Sequence, residues 1–311
     1  MNNIQIKPRT LFVIVGPTAV GKTAVGIHLA HKLGCPIISA DSRQFYREMK
    51  IGTATPSMDE LEKVKHYFIG NKSVTEEYNV SLYEREVLVL LSELFSHQPT
   101  LVMVGGSGLY INAVCNGIDD MPDTDKVIRN QLNELFNKEG IVALQQKLLE
   151  LDPDYYKEVD INNPVRLQRA IEVSLQTGKP YSQLRIKVKK ERDFNIVKIG
   201  IEREKSELIN RIDRRVDQMM NEGQLDEVQS LLPYRNYNAL NTVGYKELFA
   251  YLDGSVSLEQ AITNIKVNTR HYAKRQLTWF RKDTDIHWFH PDQIISLIEN
   301  KGKVGQYRLF R

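Results

Sequence analysis

The sequence predicts an α/β protein in which a parallel sheet flanked by helices is interrupted by an all-helical insertion. Three observations predict it. Short β-branched apolar runs alternate with segments of helical period, the pattern of βαβ units. A glycine-rich turn follows the first run directly, where a strand hands over to a helix. From about residue 121 to 194, helical patterns follow one another without an intervening strand.

Taken in order, "TLFVIV" at 10–15 is apolar, β-branched and closed by Gly16-Pro17, which marks a buried strand. A helix is expected from Lys22, with Ala24, Ile27, Leu29 and Leu33 at helical spacing and Gly34 as its stop. "PIISA" at 36–40 gives a second buried strand. "SLYEREVLVLLSELFSHQP" gives an amphipathic helix ended before Pro99, and "TLVMVGG" at 100–106 a third strand. Three amphipathic helices follow: "DKVIRNQLNELF", "IVALQQKLLELD" and "NPVRLQRAIEVSLQTG". "NIVKIGI" at 195–201 returns to the sheet, and "KSELINRIDRRVDQMMNEG" is a helix stopped at Gly223. A long helix near 257–282 and the apolar "IHWF" complete the chain, with no internal repeat or low-complexity linker. The expected division is therefore a catalytic core of residues 1–120 and 195–311, with an insertion of 121–194.

The 41% hydrophobic and 26% charged residues exclude a disordered or fibrous chain. The apolar run Leu11–Val15 is too short for a signal-peptide core or a membrane span, and no other segment comes closer. Cys35 and Cys115 form no CxxC pair, so a reducing cytoplasm is the expected home. A net charge of +3 hides an uneven distribution: −5 over residues 1–160, +7 over 161–215 and +1 over the rest. The local basic excess suits a polyanionic partner, and a solvated helix face accounts for it equally well.

"GPTAVGKT" spans Gly16, Pro17, Thr18, Ala19, Val20, Gly21, Lys22 and Thr23, and completes the GxxxxGK[ST] pattern. Its glycines let backbone N–H groups converge on phosphate oxygens at a helix N-terminus. Lys22 adds a point charge, and the Thr23 hydroxyl can ligate Mg²⁺. An NTPase of the hydrolysing kind carries an acid at the end of a further apolar strand to hold its metal, but here Gly105-Gly106 stands there. The guanine-specifying NKxD pattern is also missing. An acid instead ends the second strand, in "IISADSRQFY", where Asp41 faces the same crevice as a metal ligand, a general base or an N-cap. "GGSGLY" at 105–110 is a second glycine turn at a strand's carboxyl end, from which Ser107 could donate to a phosphate. "RIKVKKER" at 185–192 and "TRHYAKRQLTWFRK" at 269–282 supply cations, the second interleaved with Tyr272, Trp279 and Phe280. Cations on phosphates and aromatics on bases make an RNA-binding surface; each segment alone is more often a solvated amphipathic helix. Arg211 and Arg215, four apart, share a helix face.

These segments, with "ISADSRQFYREMKIGTATP", "VGGSGLY", "NNPVRLQRAIEV", "TGKP", "RVDQMMNEG" and "VGYKE", together resemble the tRNA dimethylallyltransferase (isopentenyltransferase) family, in order across nearly the whole chain. The resemblance implies a P-loop, nucleotide-kinase-like core with a helical insertion and Mg²⁺ dependence. It also implies transfer of a dimethylallyl group from dimethylallyl diphosphate to the N6 of an adenosine beside the anticodon. It makes Asp41 the general base, and Ser42, Arg43 and Gln44 contacts to the target nucleotide. Ser107, where the family more often has threonine, is implied to bond the departing diphosphate and Arg215 to neutralise it. Arg129, the stretch Val165, Arg166, Leu167, Gln168 and Arg169, and the stretch Asn241, Thr242, Val243, Gly244, Tyr245 and Lys246 are implied tRNA contacts. "NNP" at 162–164 departs from the family pattern, which commonly has aspartate in its second position. The implied partners are the tRNA anticodon stem-loop and dimethylallyl diphosphate, with no membrane and a monomeric protein. A small-molecule or nucleotide kinase, and a non-catalytic RNA-binding protein with a vestigial phosphate loop, are the alternatives.

Overall fold

A computed structural model describes residues 9–186 and 188–300. Its elements run β1 (Thr10–Val15), α1 (Lys22–Leu33), β2 (Ile37–Ser39), α2 (Met58–Lys63), β3 (His66–Tyr67), α3 (Val80–Leu94), β4 (Thr100–Gly105) and α4 (Gly108–Asn116). Next come α5 (Lys126–Leu151), α6 (Pro153–Glu158), α7 (Pro164–Thr177), α8 (Tyr181–Leu184) and β5 (Asn195–Ile201). The chain continues through α9 (Lys205–Asn221), α10 (Gln224–Ser230), α11 (Tyr245–Leu252), α12 (Leu258–Phe280), β6 (Ile286–Phe289) and α13 (Pro291–Asn300).

The six strands form one sheet in the order β3-β2-β4-β1-β5-β6, and every pairing is parallel. β1 and β4 are buried along their whole lengths, which is why both are continuous apolar runs rather than alternating ones. Helices pack on the sheet and share its core; Val25 and Leu29 of α1, Tyr83 and Val87 of α3 and Ile212 of α9 are among its members. Cys35 and Cys115 are buried thiols in this core, and burial pushes Cys35 up to about 12.

The chain divides into two compact units. One comprises the residues up to Cys115 and from Arg192 onward, the other Asn116–Glu191. The second unit has its own apolar centre, built from Leu132, Leu144, Leu148, Leu167 and Ile171 of α5 and α7. The two helices expected at 125–136 and 141–152 are one continuous assignment, α5, broken internally at Gly140, whose φ of 75° and ψ of −169° are open only to glycine. The strand "TLVMVGG" is the fourth in chain order rather than the third, because the two-residue β3 precedes it. β3 is too short and too polar to show a period. α2, α4, α6, α8, α10, α11 and α13 are further helices beyond those expected.

Candidate functional site

The site lies at the carboxyl ends of β1, β2 and β4. β1 ends at Val15 and α1 begins at Lys22, with left-handed Gly21 (φ 108°) as its N-cap and no side chain capping it. The helix therefore presents uncapped N–H groups and its positive dipole end to the loop. The loop's carbonyls are claimed by cations. Lys22 Nζ donates to Pro17 O at 2.7 Å, Arg211 Nε to Ala19 O at 2.7 Å and Arg203 Nε to Val20 O at 2.9 Å. Arg211 thus serves the loop itself, while Arg215 lines the neighbouring pocket.

β2 delivers Asp41 beside this loop. Ala40 N donates to Val104 O at 2.8 Å and Ser107 N to Ala40 O at 3.2 Å, so the ends of β2 and β4 are laced together. Ser42 N donates to Ser107 Oγ at 2.9 Å, and Ser107 Oγ donates to Ser42 Oγ at 3.1 Å. A Cβ at Gly105 would lie 2.2 Å from Ala40 O, so no carboxylate can stand at this strand end; the missing acid has a steric cause. Asp41 Oδ1 accepts from Arg43 N at 3.1 Å, closing a tight turn. Arg43 and Gln44 spend side-chain donors on main chain: Arg43 on Asn238 O and Ala239 O at 2.9 and 3.0 Å, Gln44 on Thr53 O and Ala54 O at 3.2 and 3.0 Å. Both shape the walls of the crevice.

Thr18, Asp41, Arg43 and Arg215 share one pocket, whose lining also includes the aliphatic Ile212, Val216, Met219, Val243 and Ile265. Burial pushes the Lys22 ammonium down to about 8, Asp41 opposing that shift and Arg215 adding to it. Burial likewise lowers Arg215, with Asp41 again opposing. Two cations and one carboxylate thus feel one another across a poorly solvated space. Among the described residues, no group of three or more His, Cys, Asp or Glu side chains is placed to hold a metal ion.

Three further residues complete the construction: Gln276 and Glu227, which the sequence did not single out, and Tyr272, expected there only as a stacking aromatic. Tyr272 of α12 lines the pocket and hydrogen-bonds Ser107; burial, then the nearby Asp41, raises its pKa. Gln276, one turn further along α12, accepts from Thr18 N at 2.8 Å and donates to Gly106 O at 2.9 Å. Glu227 accepts from Lys50 N and Ile51 N at 2.8 Å, from Gly52 N at 3.0 Å and from Tyr245 Oη at 2.7 Å, fixing the loop that brings Gly52 and Thr53 to the pocket. The four-residue spacing of Tyr272 and Gln276 was visible in "YAKRQ", but nothing local says what that face meets.

The remaining predicted residues divide by exposure. Val165 and Arg166 face solvent, while Leu167 and Gln168 are buried in the helical unit, Gln168 donating to Asn133 Oδ1 at 3.0 Å. Arg129 and Arg169 converge on the fully buried Glu172, Arg129 by hydrogen bond and Arg169 at 3.5 Å; Arg169 also donates to Pro122 O at 2.7 Å. Asn241 and Lys246 are exposed, Thr242, Val243 and Gly244 line the pocket, and Tyr245 is buried against Gly52. The basic block is partly neutralised: Arg185 stacks on Tyr155 and Tyr181 and pairs with Glu158, Lys190 pairs with Asp120, and Arg192 pairs with buried Glu84. Lys187 lies outside the described residues. On α12, Arg270 bonds Asp213, whereas Lys274 and Arg275, and Lys282 just past the helix, are exposed near a half-exposed Trp279.

The family model described as IPP transferase matches residues 44–283. A protein of Bacteroides thetaiotaomicron named tRNA dimethylallyltransferase 1 is 49% identical over 290 residues, 93% of this chain and 94% of its own. A tRNA dimethylallyltransferase of Christiangramia forsetii is 49% identical over 94% of this chain and 98% of its own. The crystal structure of the tRNA isopentenylpyrophosphate transferase of Bacillus halodurans is similar with a TM-score of 0.68, at 38% identity over 93% and 94% of the two chains. A eukaryotic dimethylallyltransferase crystallised acting on tRNA gives a TM-score of 0.77, at 26% identity over 91% of this chain and 74% of that one.

Proposed function

Since the chain belongs to the IPP transferase family, we propose that it is a tRNA dimethylallyltransferase. It moves a dimethylallyl group from dimethylallyl diphosphate to the exocyclic N6 of the adenosine immediately 3′ of the anticodon. The tRNAs concerned read codons that begin with U, and diphosphate is released. The reading includes a monomer working in the cytoplasm on the anticodon stem-loop. No described helix is long and apolar enough to cross a membrane.

The observation that carries this reading is the single pocket that joins Thr18, Asp41 and Arg215 to an aliphatic wall. Its chemistry follows from the reaction. As the bond from C1 of the prenyl group to oxygen breaks, negative charge grows on the diphosphate, and Lys22 and Arg215 are the cations to take it up. As N6 bonds to the same carbon, the amine must lose a proton, and the Asp41 carboxylate is the base at hand. Ser107 is the hydroxyl donor to the departing diphosphate. Ile212, Val216 and Met219 give the five-carbon group an apolar surface and keep water from the electrophilic carbon.

For Mg²⁺, the donor set fits a hard cation held mainly by substrate oxygens: Thr23, the second residue of α1, places a hydroxyl beside the uncapped N–H groups at the end of the phosphate loop. Thr23 would hold it, and bound there it would neutralise diphosphate charge. The adenine must leave its stack to reach Asp41, at a cost of a few kcal/mol. Thr242 and Val243 at the pocket and the exposed Val165, Arg166, Asn241 and Lys246 are the tRNA contacts this reading retains by side chain.

The test is incubation of the protein with unmodified tRNA, Mg²⁺ and labelled dimethylallyl diphosphate. Label should enter the RNA. Folded protein that leaves the RNA unlabelled, or forms ADP from ATP instead, would sink the reading.

A further inference from the structure

Gln276 is only 6% exposed, and both ends of its amide are committed to main chain, accepting from Thr18 N at 2.8 Å and donating to Gly106 O at 2.9 Å. The turns it joins leave neighbouring parallel strands whose last paired residues are Val15 and Gly105. Beyond that pair the sheet no longer sets their spacing. Among the described residues, no main-chain hydrogen bond links the 16–21 loop to the 106–108 turn. A buried amide satisfied at both ends by different segments fixes the distance between them. The packing is close: a Cβ at Gly106 would lie 2.4 Å from Gln276 Nε2 and 3.7 Å from Lys22 Nζ. One helical turn earlier, Tyr272 hydrogen-bonds Ser107 from the same face of α12.

We propose that Gln276 is a positioning residue for the transfer reaction, a splint that holds the phosphate loop and the Gly106-Ser107 turn in one frame so that Lys22 and Ser107 meet the same diphosphate. The inference rests on the prenyl-transfer reading. Gln276 acts through the two turns, and its effect is on charge development rather than on RNA capture. Displacing an oriented group by about 1 Å costs on the order of 10²-fold in rate.

The experiment compares wild type, Gln276→Leu and Gln276→Glu, with circular dichroism as a check on folding. Gln276→Leu should lower kcat about 10- to 100-fold and weaken inorganic diphosphate, titrated calorimetrically, about tenfold. The KM for tRNA should stay within about threefold. Gln276→Glu keeps an acceptor for Thr18 N but sets a carboxylate oxygen against Gly106 O. Protonation restores the donor, so its kcat relative to wild type should rise as pH falls from about 8 to about 6. A merely structural lesion would give a ratio flat with pH. Folded Gln276→Leu with normal kcat and normal diphosphate affinity overturns the proposal, as does a flat pH ratio for Gln276→Glu. If Gln276→Leu does not fold, the Gln276→Glu profile decides. If wild type transfers nothing, the functional reading falls while the diphosphate titration still decides the splint.

Discussion

Asp41 and Lys22 sit in one electrostatic neighbourhood, yet their substitutions should fail in different ways. In Asp41→Asn the amide oxygen can still accept from Arg43 N, so the turn persists while the base is lost. Turnover should fall about 10²- to 10⁴-fold with tRNA affinity within a few fold, as read by single-turnover transfer and filter binding. Near-normal turnover would move the base elsewhere. For Lys22, the folded pKa of about 8 lies below the unfolded value of 10.5. Between those values the unfolded chain holds the extra proton, so burying Lys22 costs stability below about pH 8 and that cost fades as pH rises toward 10.5. A diphosphate binds the charged form, so its affinity should drop about tenfold per pH unit above 8. Lys22→Arg stays charged, and the ligand's own ionisation cancels in the ratio of the two proteins. A ratio that does not change with pH would contradict the assignment.

At the scale of elements, what could be read from sequence was what is local. Strands β1 and β4 are continuous apolar runs, β5 is mostly one, and the phosphate loop and the GGSG turn are contiguous motifs, so both halves of the glycine framework were visible. Gln276 and Glu227 were not, and Tyr272 was read only as an aromatic for base stacking. Gln276 reaches Thr18 across 258 positions and Glu227 reaches Lys50 across 177, and no period reports such meetings. Likewise Leu167 and Tyr245 sit in matching motifs, but their burial depends on helices elsewhere in the chain. The break in α5 is a local matter that the sequence marked with a single glycine. A Cβ at Gly140 meets nothing within 4 Å, so Gly140→Ala tests backbone strain alone. It should cost about 1–3 kcal/mol, seen as a lower midpoint in thermal unfolding. An unchanged midpoint would mean the kink relaxes freely.

Over the whole molecule, the cations that suggested a polyanion, in the basic block and on the later "TRHYAKRQLTWFRK" segment, divide into spent and available charge. Arg185, Lys190 and Arg192 are paired inside their own units, whereas Lys274 and Arg275 on α12 and Lys282 just after it are exposed. Neutralising those three should weaken tRNA binding and flatten its salt dependence by about one unit of slope per lost phosphate contact, measured as Kd against salt. An unchanged slope would return α12 to an ordinary solvated face. Arg185→Ala should act mainly on the thermal midpoint, because its guanidinium stacks on Tyr155. One further detail concerns how the second unit is attached. Lys190 N donates to Asn116 O at 2.7 Å, and on the other side of the junction Arg192 Nε donates to Val114 O at 2.8 Å. The outgoing and returning chains are therefore stitched together at the threshold. To the sheet, everything between them is topologically a loop whose mouth is already shut, so its length adds little to the entropy of closing the core. Such a doorway lets a lineage lengthen, shorten or exchange the helical segment between its two sides without reworking the sheet.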